Sequence, residues 1–541
     1  MLRLLLQALV VFGLAQSAWW SSARLLLPND RAERSLVALV IGLALATIIP
    51  TIWGLLGLLS AYSMGFSALL VWASAYRWAR PASLLQASER DADSPRPISL
   101  VLQIAAVLVL SVYFLPLLRS ILEVPVRWDS LTYHLFLPAQ WIQSATIENP
   151  AFPYPLSFVA HYPKHQELLL SSLMVVARND LFAELGSLLL YPALGLAVRC
   201  LCVRLGASRE AGFAAGLFVI TIPAHFIPAA GAYAEGFLGV ALISSLVFAL
   251  AAIEPRSSES RRIEGFILCG LAIGLAAGTK YTALELGLLL VAMLGWGAWR
   301  LGVRGRELVR LLFAFLGVSV LSGGVWYGLN FAAHGNPFYP VPIGPLPGAH
   351  YLGLDWEGAS ILDRLGPLVR DGSLYAAWFS FSEERPWLPL IGFKLLPVLF
   401  LALYGAIALM RRRTSGATWM VLAFAILGLG YLRLPFWNVG WLPTQTRFAV
   451  PALCVGAALG FAALSMRGVS ARILALLVVG GFVLDGPVLD LTTPDLAWDS
   501  SSGGFMVAGD SVTDRLWFGR LIAGIVFLGG VVLCLWRSQS I

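Results

Sequence analysis

Between Val126 and Gln143 the chain reads VRWDSLTYHLFLPAQWIQ. An arginine, an aspartate, a histidine, two glutamines and two tryptophans crowd into eighteen residues directly after an apolar run. Asp129 has the chemistry of a general base: a partly desolvated carboxylate holds a proton more tightly and can take one from a hydroxyl nucleophile. The same residue also suits an N-cap of the stretch DSLTYHLF, and both readings stand at this stage. Tyr133 follows at about one helical turn and His134 at somewhat more than one, and both are candidates to touch a bound ligand.

Other ionisable residues recur far along the chain, each in an apolar setting. Glu235 lies in GAYAEGFLG, Lys280 in GLAAGTKYTALELG and Arg447 in TQTRFAVPALC. A charge within apolar sequence marks a functional site by default, although lysines and arginines near helix ends also snorkel to water. Guanidinium and ammonium groups suit a phosphate, so Lys280 and Arg447 are the candidate anion ligands. Lys164 and His165 precede the short apolar stretch QELLLSSLMVVA, whose Glu167 lies just inside it. Basic residues oppose the helix dipole there, so they serve an anion or face water. Asn330 and His334 lie in WYGLNFAAHGNPFYP, where Gly335-Asn336-Pro337 signals a turn.

The elements that must position these residues are membrane helices. Apolar residues make up 58 % of the chain and charged ones 12 %, well outside the balance of a soluble domain. Apolar runs of membrane-spanning length recur at 3–20, 36–57, 60–77, 98–120, 183–203, 210–228, 232–252, 265–279, 281–299, 308–331, 389–410, 417–432, 447–466, 473–488 and 515–536. The fold class is therefore all-α, a polytopic transmembrane helical bundle of about 13–15 spans with outer-face juxtamembrane helices and loops. The alternating segments of about ten residues that mark a membrane barrel do not occur. Gly270, Gly274 and Gly278 recur at i, i+4 spacing and predict a helix face that a neighbour approaches closely.

Arginines cluster in the short loops, among them Arg24/Arg31/Arg34, Arg199/Arg204/Arg209, Arg256/Arg261/Arg262 and Arg411/Arg412/Arg413. With those spans all of them fall on one side, the cytoplasmic one, provided that 166–177 does not cross. At that length the segment reads as an interfacial or re-entrant helix. The net charge of +7 is thus a topogenic signal and not the mark of a nucleic-acid partner. The cysteines, Cys200, Cys202, Cys269, Cys454 and Cys534, show no metal or disulfide spacing and read as small core residues.

Three organisational units follow. Residues 1–97 hold accessory spans and a polar cytoplasmic linker. Residues 98–470 form a core with outer segments 121–182 and 332–388. Residues 471–541 carry the last spans and the outer segment 489–514. The charge topology puts Asp129, Glu235, Lys280 and Arg447 at one outer face. A carboxylate base beside cations is what group transfer from a phosphate leaving group needs.

RWDSLTYHLFLP, GLAAGTKYTAL, WYGLNFAAHGNPFYP and QTRFAVPAL resemble landmarks of the GT-C integral membrane glycosyltransferases, in particular bacterial members akin to the protein mannosyltransferases and the lipid A aminoarabinose transferase. The resemblance spans about residues 98 to 470 and rests on the order of the motifs. It implies a polyprenyl-phosphate-linked sugar donor and a lipid, glycan or protein acceptor. It also implies inverting transfer at the extracytoplasmic face of the cytoplasmic (inner) membrane. Within it Asp129 takes the place of the base, and Glu235 is a second catalytic carboxylate supporting the acceptor or a metal. Lys280, Arg447, His134, Lys164, Tyr133 and Asn330 are substrate-binding candidates. No cofactor is certain; a divalent metal is possible, and no metal ligand is assigned. The chain departs from the commonest bacterial pattern in having Ser130 after the aspartate and YPKHQE in place of a Lys-Pro-Pro. Trp128 and Trp141 suit either sugar stacking or interfacial anchoring. The rival readings are a polymerase or ligase of lipid-linked polysaccharide, and a transporter, which needs ionisable residues near span centres.

Overall fold

The computed structural model describes residues 2–25, 30–90, 97–122, 129–148, 156–222, 231–255, 257–349, 370, 395–414, 416–432, 446–484, 496–499 and 504–507. Seventeen α-helices run through them. The N-terminal group is α1 (Leu2–Arg24), α2 (Arg31–Leu55) and α3 (Ala61–Arg90). Next come α4 (Leu100–Leu122), α5 (Phe136–Ser144), α6 (His165–Met174), α7 (Leu181–Arg204) and α8 (Arg209–Ile220). The central group is α9 (Glu235–Ala252), α10 (Glu259–Ala277), α11 (Ala283–Arg300), α12 (Gly305–Gly323) and α13 (Val325–His334). The last are α14 (Leu395–Arg411), α15 (Ala417–Leu432), α16 (Val450–Met466) and α17 (Ala471–Leu484). A two-stranded antiparallel hairpin, Leu496–Asp499 with Gly504–Val507, is added in the last outer segment. The predicted span 515–536 and most of the outer segment 332–388 lie outside the described residues.

Among the described residues six helices are long and apolar enough to cross a membrane, one of them α9, whose eighteen residues are all buried inside the protein. The rise from Glu235 to Ala252 is about 26 Å at 1.5 Å per residue, close to the thickness of a hydrocarbon core. The chain is a multi-pass membrane protein. Several helices, α2, α8 and α10 among them, start where a short polar side chain satisfies a free amide. Asp30 accepts from Glu33 N at 2.9 Å, and Ser208 caps α8 through Ala211 N at 3.2 Å.

One polar end of the bundle gathers the arginines of the predicted cytoplasmic loops. Arg199 Nη2 donates to Asp30 Oδ2 at 2.6 Å, and Arg204 bridges Glu33 and Glu254. These pairs tie the start of α2 to the ends of α7 and α9.

The glycine stripe of α10 does what its spacing predicts. A Cβ on Gly270 would stand 2.5 Å from the carbonyl oxygen of Phe315, and one on Gly274 equally close to that of Ser319, so α12 lies directly on this face. The segment 308–331 departs from its predicted single span. It bends by 69° between α12 and α13. Gly323 and Gly324 sit at the bend, and Gly323 presses on the backbone of Gly274, leaving no room for a side chain.

The helix in the short segment 166–177, α6, has ten residues, too few to cross a membrane. It is packed inside the protein: His165 through Ser172 and Met174 are all buried. The N-terminal helices supply much of its surroundings. The Gln7 amide donates to Ser172 O at 2.7 Å and accepts from Val176 N at 3.0 Å and Ala177 N at 3.3 Å. Ser172 Oγ donates to Ala46 O of α2. Val10, Leu14 and Ile49 share one apolar cluster with Leu137, Trp141, Leu168 and Trp326. A glutamine at 0 % exposure within the apolar first half of α1 is thus explained by the free backbone groups at the end of α6.

Replacing Gln7 by Leu strands three buried backbone groups. It is expected to cost about 1–3 kcal/mol. The check is the apparent Tm of the purified variant in detergent; an unchanged Tm contradicts this role for Gln7.

Candidate functional site

At the other end of the bundle four charged side chains from distant segments meet. Asp129 opens a π-helical turn, Ser130–His134, ahead of α5. Glu235 is the first residue of α9, Lys280 sits in the turn after α10, and Arg447 lies in the short helical turn Thr446–Ala449 that leads into α16. Arg447 Nη2 donates to Asp129 Oδ2 at 2.7 Å. Lys280 Nζ donates to Glu235 Oε1 at 2.7 Å, and Arg447 Nε lies 3.3 Å from the same oxygen. Two acids and two bases leave the cluster formally neutral, as a water-poor site demands.

Aromatic rings floor the cluster. The Arg447 guanidinium lies 4.9 Å from the Tyr233 ring and 5.1 Å from that of Phe448; the Lys280 ammonium lies 4.2 Å from Phe448. Such faces favour cations whose hydration is stripped away. Exposure grades the members: the Glu235 side chain is 3 % accessible, Asp129 17 %, Arg447 19 % and Lys280 25 %. Glu235 is the buried hub, and the other three open toward solvent. Burial pulls the Lys280 ammonium below the ordinary lysine range, with Glu235 offsetting part of that pull.

The N-cap reading of Asp129 does not hold. Its side chain makes no cap hydrogen bond and is turned to Arg447 instead. The residue behind it carries the local structure. Ser130, fully buried, accepts from Ala232 N at 2.9 Å and so fastens the Asp129 turn to the segment that delivers Glu235. Gly231 lies against that hydroxyl, where a Cβ would be 2.9 Å away.

His134 and Tyr133 flank the cluster. His134 Nδ1 and Glu167 Oε1 are 2.6 Å apart, both side chains 5 % exposed, so the imidazole is held by α6. The Tyr133 ring packs on His134 with centroids 4.1 Å apart. Burial, then the Asp129 charge, push its phenol well above the usual tyrosine range, so it remains a neutral donor.

The remaining candidates stand elsewhere. Lys164 is 2 % exposed, which rules out the reading that it simply faces water. Its ammonium donates to Ala160 O at 2.6 Å over the Trp326 ring, and burial pulls it down to about 7. His165 is not a cationic anion ligand. Its Nδ1 accepts from Trp326 Nε1 at 3.0 Å, its Nε2 donates to Ser322 O at 2.6 Å, and burial lowers it to about 4, so it is neutral. Its own amide donates to Gly278 O at 2.9 Å, and its ring fills the space left by the missing Gly278 side chain. His165 thereby locks α6 to the Lys280 turn and to the bend between α12 and α13.

Asn330 plays a similar part for the loop that follows α13. Its amide nitrogen lies 2.8 Å from His161 O and 2.9 Å from the Tyr281 hydroxyl, which itself donates to Tyr339 O at 2.8 Å. His334 stacks on Tyr339. Trp141, read as a sugar platform or an interfacial anchor, is neither. It is fully buried, donates to Glu148 O and stacks on Trp326. Trp128 lies outside the described residues. Among the described residues no three His, Cys, Asp or Glu side chains gather into a metal-holding group.

No family model matches the chain, and no curated protein matches it. Solved structures similar to it include ArnT from Cupriavidus metallidurans in the apo state, at 17 % identity over 80 % of this chain and 75 % of that one, with a TM-score of 0.44. The same protein bound to undecaprenyl phosphate gives 18 % identity, 80 % and 76 % coverage and a TM-score of 0.42. The oligosaccharyltransferase of Archaeoglobus fulgidus, in complex with zinc and sulfate, gives 15 % identity, 76 % and 54 % coverage and a TM-score of 0.41.

Two predictions follow from this geometry. Glu235→Gln leaves Lys280 and Arg447 facing each other without their shared counter-ion, and breaking so buried a pair costs about 3–5 kcal/mol. Asp129→Asn leaves Arg447 its second carboxylate and is expected to cost about 1 kcal/mol or less. Thermal unfolding of the two variants side by side checks the order, and equal losses contradict it. The second prediction concerns pH. Lys164 binds its proton more weakly folded, at about 7, than at the ordinary value of 10.5. Between those values the unfolded chain binds more protons, so stability gains from rising pH. The stability of wild type minus that of Lys164→Met is expected to rise from about pH 7 toward 10.5 and to be flat below 7. Denaturation across that range in a pH-matched series reads it, and a slope of the opposite sign contradicts it.

Proposed function

We propose that this chain is a glycosyltransferase that moves a sugar from a polyprenyl-phosphate donor to an acceptor hydroxyl at the outer face of the cytoplasmic membrane. The observation that carries the reading is the meeting of Asp129, Glu235, Lys280 and Arg447 at one end of a membrane bundle, from positions as far apart as 318 residues. The motif resemblance across 98–470 supports the same reading. A transporter is disfavoured, because these charges stand at helix ends and not at span centres.

In the proposed reaction the acceptor oxygen attacks the anomeric carbon while Asp129 takes the hydroxyl proton. The new carbon–oxygen bond forms as the bond to the phosphate oxygen breaks. The polyprenyl phosphate leaves with the electron pair, and Lys280 and Arg447 hold the charge that develops on it. Displacement from the opposite side inverts the anomeric centre. Glu235 acts by keeping the two cations side by side; it is too deeply buried to meet the acceptor first. Tyr133 and His134 border the space where the sugar sits. The lipid tail lies among the apolar helices, and the acceptor is a lipid, glycan or protein.

The test is a transfer assay in oriented membrane vesicles, with radiolabelled polyprenyl-phosphate sugars and native membrane extract as the source of acceptor. Wild type is expected to move label off the carrier when donor and acceptor meet the outer face. Asp129→Asn is expected to lose about 10²–10⁴-fold in rate. Transfer by the variant at the wild-type rate removes Asp129 from the role of base. No transfer by folded wild type, with acceptor present, overturns the reading.

A further inference from the structure

Asp129 and Glu235 are held in different ways. Among the described residues Arg447 is the one hydrogen-bond donor to Asp129, through a single contact of 2.7 Å at a partly open position. Glu235 is buried and contacted by both cations on one oxygen. Arg447 is also incompletely used. Its Nε and the Oε2 of Glu235 are both buried without a hydrogen bond, although the two residues already form an ion pair. A guanidinium placed against a carboxylate is best satisfied by two parallel bonds. Here Asp129 holds Nη2 and Arg447 is split between two acids. If Asp129 lets go, Arg447 stays in place, because Glu235 still anchors it.

Charge balance points the same way. Asp129, Glu235, Lys280 and Arg447 sum to zero as they stand. An anion entering among Lys280 and Arg447 leaves one excess negative charge, and the most open carboxylate, Asp129, is the one that can shed its partner. We propose that the phosphate of the donor takes Arg447 away from Asp129, so that Asp129 becomes an effective base only once the donor is seated. Arg447 is then an exchangeable counter-ion: it holds Asp129 inert in the empty site and passes to the leaving group in the loaded one. The proton that Asp129 takes from the acceptor hydroxyl offsets the second negative charge that the phosphate gains as its bond to the sugar breaks. The order is donor first, then acceptor activation, which prevents Asp129 from activating water in an empty site.

This inference rests on the phosphate-binding reading of the site, and the experiment separates the two. Farnesyl phosphate serves as the probe, and calorimetry measures its binding to the full-length protein in nanodiscs. In parallel, carbodiimide and glycine ethyl ester label protonated, accessible carboxyls, and mass spectrometry quantifies the peptide bearing Asp129. Saturating farnesyl phosphate is expected to raise Asp129 labelling by about tenfold, as the carboxylate loses its guanidinium partner and opens to the reagent. In Arg447→Met, Asp129 is expected to label at the high level without the probe, with no further rise on adding it. Binding by wild type with labelling unchanged or reduced overturns the exchange and leaves the site reading intact. No binding at all overturns both. The wild-type measurement decides the matter even if the variant misfolds, since it needs no substitution.

Discussion

One carboxylate oxygen, Glu235 Oε1, is shared by an ammonium and a guanidinium at the first residue of a wholly buried helix. An ionised acid there is tolerable only because two cations reach it, and two cations so close together are tolerable only because the acid lies between them. Each must therefore be delivered to within a few tenths of an ångström. The glycine stripe of α10 lets α12 close onto it and sets the turn that ends at Lys280. The turn before α16 presents Arg447. The Ser130 hydroxyl binds the Asp129 turn to the entrance of α9. Much of the packing at this end of the bundle is what this shared oxygen requires.

Helix α6 gives that arrangement its rigidity. Too short to cross a membrane, it is buried within the protein, where each of its polar groups needs a specific partner. His165 ties it to Gly278 and Ser322, Glu167 ties it to His134, and Gln7 of α1 satisfies its free end. The first helices thus touch the same element that borders the charge cluster. Gln7 of α1 and His134 are thus joined through a single ten-residue helix.

Charge ties both ends of the bundle together. At the arginine-rich end, Asp30, Glu33 and Glu254 pair with Arg199 and Arg204 in contacts that join helix termini. At the other end Asp129, Glu235, Lys280 and Arg447 join the starts of a π-helical turn, of α9 and of α16 to the turn after α10. Both ends are graded in exposure, and both hold a buried guanidinium Nε without a hydrogen bond, that of Arg262 at one and of Arg447 at the other.

Much of this protein was legible from its sequence. Apolar runs of fixed length determine that it is a helical membrane bundle, because backbone groups in hydrocarbon must be satisfied within each segment. Arginine placement orders the loops, and the α10 glycine spacing predicts a close helix contact. Charged residues in apolar surroundings marked Asp129, Glu235, Lys280 and Arg447, since such residues are costly unless they do something. What the sequence could not decide is who pairs with whom. Asp129 was also readable as a helix cap, Lys164 as a solvated lysine and Trp141 as an anchor, because local sequence does not reveal which distant backbone group or ring stands opposite. The bend at Gly323–Gly324, the neutral state of His165, the partner of Gln7 and the sharing of Glu235 between Lys280 and Arg447 all arise from contacts between segments far apart in the chain. Burial and distance, which set the strength of those contacts, exist only once the helices have packed.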